Sequence, residues 1–467
     1  MIQKTHDGFR WQLADDFAPL LDRVLKASPM VVKESSVKLV AYHEVDGRGF
    51  YVKRYRHGAH LFRPLKFLFK RSQAEQEWRM AAECERRGLP IVRHLALGER
   101  WSARGLLESV LITEAFEHGV PLDDSHERFF PRVIELVSEI ARAGVTHHDF
   151  HPSNLLLNEN TGQLRLVDLH GAKICEEENP ANLRDVMLVQ LKGTLNLPVT
   201  EEVAGMSSIW RRNALAQRAR RSLKNNRDFT RRKFGSLNWQ VRRDALGAEV
   251  ETILQDPDGF LTRGKVMKAG RSSTVGAANG FVLKRYNFKK PLNAVKDLFR
   301  GSRGRRGFQK AYHLELCQFP TPRVIATADR RVLGLPLSSY ILMAEIPGAI
   351  NAGQSDSPGL AKKLGLLLGW LHREGFVHCD LKETNILFNT DGVPLLIDLD
   401  GLAFVKVVSP DQTAANLQRF SDGMAAAGKL TRKNFVTFLR FYTRARGVPP
   451  RVLFPPETRM LHERRSR

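Results

Sequence analysis

Two lysines, four aspartates and two asparagines stand at spacings that suit phosphoryl transfer. Lys53 and Lys284 each lie within a run of aromatic and branched residues, FYVKRY (50–55) and FVLKRY (281–286). Each is followed 96 residues later by an aspartate, Asp149 or Asp380, inside an H-x-D-x-x-x-x-N segment, His147 to Asn154 and His378 to Asn385. A second aspartate comes 19 or 18 residues further on, Asp168 in LVDLHG (166–171) and Asp398 in LIDLDG (396–401). Phosphoryl transfer asks for little covalent help and much positioning: a cation on the nucleotide phosphates, oxygen ligands for magnesium, and a carboxylate beside the incoming hydroxyl. The residue types therefore predict Lys53 and Lys284 on the phosphates of ATP and Asp149 and Asp380 as catalytic bases. Asn154 with Asp168, and Asn385 with Asp398, are the predicted Mg²⁺ ligands. Taken singly each motif is ordinarily structural; three motifs in one order, twice, carry the reading.

The elements that must position these residues follow from an internal repeat. A shift of 230 or 231 residues superimposes the three motifs, and Trp11-Gln12-Leu13 recurs as Trp239-Gln240-Val241. This places one copy at 1–236 and a second at 237–467. Within each, GFYVKRY and GFVLKRY read as strands between glycine-containing turns. The segments 127–144 and 359–375 space apolar residues three and four apart and end at Gly144 and Gly375, so they read as helices. The expected fold is α+β, two tandem protein-kinase-like bilobal domains, each with a strand-rich first part and a helical second part.

The copies depart from one pattern in different places. Glu77, in SQAEQEWRM, is placed to pair with Lys53, whereas the aligned residue of copy two is Gly307, with Glu315 as a displaced candidate. Copy two offers Gly270 with Ser272 and Ser273, in KAGRSSTVG, as a phosphate-covering turn; copy one has only Ser35 and Ser36 there. His147 and His378 read as braces of the loop rather than metal ligands. His151 stands where copy two has Lys382. No long segment follows Asp168 or Asp398 that would dock a peptide, which favours a small or carbohydrate acceptor.

With 73 Lys and Arg against 50 Asp and Glu, the chain has a formal net charge of +23, which implies polyanionic company. Hydrophobic residues at 42% and charged residues at 26% exclude collagenous and wholly disordered chains. The four cysteines stand far apart without metal-ligand spacing, which fits a reducing compartment and argues against zinc. No export signal is apparent, and the longest apolar run, LGLLLGWL at 364–371, is too short to span a bilayer. The expectation is a cytoplasmic protein, peripheral on the inner face of the membrane. Seven Lys and Arg and no acid lie between Lys53 and Arg71, and ten against one acid between Lys284 and Lys310. Aromatic residues interleave the first, so 61–71 and 289–306 are expected to meet anionic lipid. A third cluster, Arg211 to Arg243, closes copy one or joins the copies. No nucleic-acid-reading motif is present, and no nucleic-acid partner is expected.

The strand lysines, the H-x-D-x-x-x-x-N loops, the later aspartates, the basic stretch after the lysine and Pro-Thr-Pro-Arg at 320–323 together resemble the lipopolysaccharide core kinase family, the Kdo and heptose kinases. The resemblance implies a kinase-like fold and ATP-dependent phosphorylation of a lipopolysaccharide inner-core sugar, with the core glycolipid as partner. A protein kinase and a tandem pseudokinase scaffold in envelope assembly are the alternatives. Magnesium-dependent ATP binding separates the enzymes from the scaffold.

Overall fold

A computed structural model describes residues 2–35, 37–57, 67, 70–103, 105–287, 300–332 and 335–448. Most of 61–71 and of 289–306, and also Ser36, lie outside the described residues. The chain is mixed α/β and divides into two compact units, Met1–Arg211 and Arg212–Arg467. The division falls inside the helix Glu201–Arg221. The 236/237 boundary drawn from matching motifs falls between the paired strands Phe229–Phe234 and Leu237–Arg242, which open the second unit's large sheet.

In the first unit a seven-stranded antiparallel sheet runs in the order Ile2–His6, Phe9–Leu13, His94–Ser102, Gly105–Glu114, Arg48–Arg56, Lys38–Val45, Met30–Glu34. In Phe9–Leu13 the alternation is strict: Phe9, Trp11 and Leu13 are buried while Arg10 and Gln12 face solvent. Asp7-Gly8 and Asp46-Gly47 join neighbouring strands as two-residue turns, with φ of 51° and 76°, and 54° and 71°. Left-handed backbone at both residues matches the twist of the flanking strands, and Asp-Gly tolerates it. Phe17, Phe50, Val52, Leu95 and Ile112 fill the core beside this sheet. The helix Gln73–Arg86 starts from Ser72, whose hydroxyl accepts from the Glu75 amide at 3.0 Å.

The helical part begins with Phe130–Arg142, whose Val133, Leu136, Val137 and Ile140 form one buried stripe. They pack with Leu155, Leu157 and Leu164 of two short strands and with Met187 and Leu191 of the helix Pro180–Lys192. Each such leucine or valine contributes about 1.5–3 kcal/mol of burial. Between Ile174 and the proline that opens this helix lie five residues, and the same number separates Phe404 from Pro410 in the second unit.

The second unit repeats the order: Phe229–Phe234, Leu237–Arg242, Val324–Val332, Leu335–Ala344, Phe281–Tyr286, Ser273–Ala278, Lys265–Ala269. Here LGLLLGWL forms the middle of the helix Leu360–Arg373, packed on Arg432–Arg446. Gly365 and Gly369 make the close approach possible. A Cβ on either would come 2.5 Å from a carbonyl oxygen of the neighbouring helix, that of Phe438 or Tyr442.

Candidate active site

The H-x-D-x-x-x-x-N loops leave short strands, Val145–His147 and Phe376–His378, that pair with Ala172–Ile174 and Leu402–Phe404. In the first unit the Asp149 amide donates to His147 Nδ1 at 3.2 Å, and His147 Nε2 lies 3.2 Å from the Asp168 carbonyl oxygen. An amide can only donate and a carbonyl only accept, so the ring is a neutral tautomer with its proton on Nε2. Burial pushes the His147 pKa below the usual imidazole value and keeps it in that state. His378 repeats both bonds, at 3.2 Å from the Asp380 amide and 3.0 Å to the Asp398 carbonyl, and burial lowers its pKa as well. Both histidines thus tie the loop to the following aspartate turn. Gly171 permits this, because a Cβ there would lie 2.7 Å from the His147 ring.

Asn154 donates its amide to the Asp149 carbonyl at 3.0 Å, and Asn385 donates to that of Asp380 at 2.8 Å. Since a carbonyl accepts only, each NH₂ is fixed and the side-chain oxygen is left for a cation. Magnesium prefers hard oxygen ligands, so the donor chemistry fits. Asp149 and Asp380 carry exposed side chains, as a base receiving a proton from an incoming hydroxyl requires.

Asp168 and Asp398 adopt left-handed backbone, φ 60° and 54°, which aspartate tolerates better than most residues. In the first unit Lys53 Nζ lies 2.7 Å from Glu77 Oε1 and 3.8 Å from Asp168 Oδ1. Burial would raise the Glu77 carboxyl, but the Lys53 charge and His94, 3.5 Å away, bring it down to about 2. Burial likewise opposes charge on Lys53, and its two carboxylate partners raise its pKa regardless. Asp168 is lowered against burial by its hydrogen bond from His170 Nδ1, at 2.9 Å, and by Lys53. Glu77, Asp168 and His170 place ligand atoms within 4.8 Å of one another. Glu77 is committed to Lys53 and an imidazole is a poor magnesium ligand, so the oxygens of Asp168 and Asn154 suit the metal better.

The second unit differs at the lysine. Lys284 Nζ lies 2.5 Å from Asp398 Oδ1, and the Asp398 pKa is lowered, against burial, chiefly by that charge. Glu315 does not replace the missing helix glutamate: it pairs with Arg242, because the last turn of the helix Arg303–Leu316 carries it away from Lys284. Lys382 lies 2.9 Å from Asp380. Gly270 opens the turn between Lys265–Ala269 and Ser273–Ala278; its amide donates to the Ser273 carbonyl at 3.1 Å, and its own carbonyl accepts from Asn287 at 2.9 Å. Ser272 accepts through its carbonyl from the Asn287 amide at 3.1 Å, and Ser273 is buried. In the first unit Ser35 Oγ accepts from the Lys38 amide at 3.0 Å and closes the corresponding turn.

Several contributors escape sequence reasoning. Gln190, from the helix Pro180–Lys192, accepts from the Phe150 amide at 2.8 Å and donates to the His147 carbonyl at 3.2 Å. Asn416 accepts from the His378 amide at 2.9 Å. They lie about 40 residues beyond the loops they hold, with no motif to mark them. His170, two residues after Asp168, stood within a quoted motif, yet nothing in its type announces a contact with Asp168.

Residues 23–202 match the model of the Lipopolysaccharide kinase (Kdo/WaaP) family. The match includes Lys53, Glu77, Asp149, Asn154 and Asp168 and leaves the second unit outside. No curated protein matches. Among solved structures, one described as "WaaP in complex with acyl carrier protein" is 25% identical, covering 43% of this chain and 88% of that one with a TM-score of 0.32.

Proposed function

We propose that this protein, an ATP-dependent kinase of the lipopolysaccharide kinase type by its family match, phosphorylates a hydroxyl of an inner-core sugar, Kdo or heptose. The observation that carries this reading is the Lys53, Glu77 and Asp168 constellation, hydrogen-bonded through His147 to the Asp149 loop, inside the matched span. Each unit is read as one kinase-like bilobal domain, the two arising by duplication, and the first is read as the catalytic one.

Bound magnesium ATP supplies the electrophilic phosphorus and the charge that neutralises the transferring group. Lys53, held in place by Glu77, would meet the α- and β-phosphates. Asp168 and the side-chain oxygen of Asn154 would hold Mg²⁺. Asp149 accepts the proton of the acceptor hydroxyl, and the His147 brace keeps it in register with Asp168. The five-residue connections after the aspartate turns leave little chain to bind a peptide, which supports a carbohydrate acceptor over a protein. The second unit, with Asp380, Asn385 and Asp398 in the same arrangement, is read as a second nucleotide site. Its Lys284 rests on the metal-binding aspartate, which favours binding over turnover.

A lipid-linked acceptor puts the enzyme at a membrane surface. No helix among the described residues is long and apolar enough to cross a bilayer, so peripheral attachment through the basic stretches 61–71 and 289–306 accompanies this proposal. The test is mass analysis of lipopolysaccharide core from cells with and without the gene, together with phosphate transfer from labelled ATP to purified core. Loss of one core phosphate and its restoration by the purified protein are expected. Unchanged core and no transfer would reject the proposal.

A further inference from the structure

The helices that carry Glu77 and Gly307 both start from a capping serine, Ser72 and Ser302, so the two positions correspond. Without its glutamate, the second-unit helix is still tied to the aspartate turn. Asp400, two residues past Asp398, accepts from Tyr286 Oη at 2.6 Å and from Arg303 at 2.5 Å. Its backbone carbonyl accepts from Lys310 Nζ at 2.7 Å. Arg303 and Lys284 also lie over the Tyr286 ring, 4.7 Å and 4.8 Å from its centre. A Cβ on Gly307 would stand 2.8 Å from Ile341 Cδ1, 3.5 Å from Tyr286 Oη and 3.8 Å from Asp400 Oδ1. The place of a side chain at 307 is therefore closed first by Ile341, with Tyr286 and Asp400 in ordinary contact beyond it. In the first unit the residues corresponding to Asp400, Arg303 and Lys310 are His170, Gln73 and Met80, which cannot make this set of bonds.

We propose that Asp400 is the positioning residue of the second unit's nucleotide site, replacing the missing helix glutamate from the opposite side; this rests on the reading of that unit as a nucleotide site. The acid has moved from helix to turn and its cation from strand to helix, and the tie between them remains a charge-assisted hydrogen bond. Tyr286, buried beside Asp400, has its pKa raised by both and stays a donor. The exchange leaves Lys284 without a helix carboxylate. It lies on Asp398 at 2.5 Å, whereas Lys53 sits on Glu77 at 2.7 Å and reaches Asp168 only at 3.8 Å. Incoming phosphates must take Lys284 from Asp398 while the turn holds its place, and Asp400 is what holds it.

The experiment is calorimetric titration of the full-length protein with magnesium ATP in an Asp168→Asn background, which removes metal-dependent binding by the first unit. Asp400→Ala and Arg303→Ala are each expected to lower affinity about tenfold and to raise the magnesium concentration needed for half-maximal binding. The double variant should lose no more than the larger single loss, because the two residues act as one unit. Asp400→Glu should recover part of the affinity. A general loss of fold would move the thermal midpoint without shifting the magnesium dependence of the protein that remains folded. If Lys284→Ala abolishes binding while Asp400→Ala keeps the parent affinity and magnesium dependence, the inference fails and the nucleotide site stands. If the background binds no ATP, or Lys284→Ala and Asp398→Asn leave binding unchanged, the nucleotide-site reading fails and the inference with it.

Discussion

Replacing Glu77 by alanine tests the first unit's site most directly. The carboxylate is fully buried, its Oε1 lies 2.7 Å from Lys53, and its Oε2 has no hydrogen-bond partner among the described residues. A carboxyl lowered from 4.5 to about 2 corresponds to about 3 kcal/mol of interaction favouring the charged form. Removing one member of a buried pair would ordinarily cost about 3–5 kcal/mol by stranding the other charge. Lys53 has a second carboxylate within reach, Asp168 at 3.8 Å, and Lys284 in the second unit shows that a lysine in this place can settle on the turn aspartate at 2.5 Å. We therefore expect a smaller loss, about 2 kcal/mol, read as faster hydrogen exchange of the amides in Gln73–Arg86. Function should suffer more than stability, since on the proposed roles the relaxed lysine would leave the phosphates and neutralise Asp168. Displacement by about 1 Å is enough for a loss of about 10²-fold in kcat/KM. Because the folded pKa is depressed, the stabilisation is present above about 4.5 and disappears as the pH falls toward about 2. In Glu77→Ala that part of the acid sensitivity should vanish. Undiminished kcat/KM in this variant, with transfer still dependent on Lys53, would refute the reasoning.

Asp149→Ala should lower turnover by about 10²-fold or more while ATP still binds, whereas Asp380→Ala should leave most of the turnover; the reverse pattern would assign catalysis to the second unit. Asp168→Asn should remove magnesium-dependent ATP affinity from the first unit, and an unchanged calorimetric isotherm would reject its role as metal ligand. Gly365→Ala reverses the usual preference of helices for alanine over glycine. The added Cβ meets the Phe438 carbonyl at 2.5 Å, and a loss of about 1–3 kcal/mol in denaturant unfolding is expected where an open helix would gain. His372 is brought down to about 4 by burial, with Tyr442 Oη 2.6 Å from its ring. The unfolded chain therefore takes up its proton first, and stability of the second unit should fall as the pH drops from about 6.5 toward about 4, a slope that His372→Gln should flatten.

The motifs alone contained the order Lys53, Asp149, Asn154, Asp168 and its repetition, because kinase-type chemistry fixes residue types at loop and strand spacings that survive in one dimension. Aromatic and branched residues between glycine-containing turns marked the strands around Lys53 and Lys284, and three-and-four spacing marked Phe130–Arg142 and Leu360–Arg373. Asp-Gly and Asn-Gly pairs occupy tight turns of the structure, since left-handed backbone restricts which residues stand there. What each lysine touches was decided only by the tertiary structure. Lys53 and Lys284 have nearly identical neighbours in sequence, yet one sits on Glu77 and the other on Asp398, because the helix residue that distinguishes them comes from a separate element. The same holds for Gln190 and Asn416, which brace the loops from helices far along the chain, and for Glu315, turned by its helix toward Arg242. A hydrogen bond needs two groups within about 3 Å, and only folding sets that distance between residues so far apart in sequence.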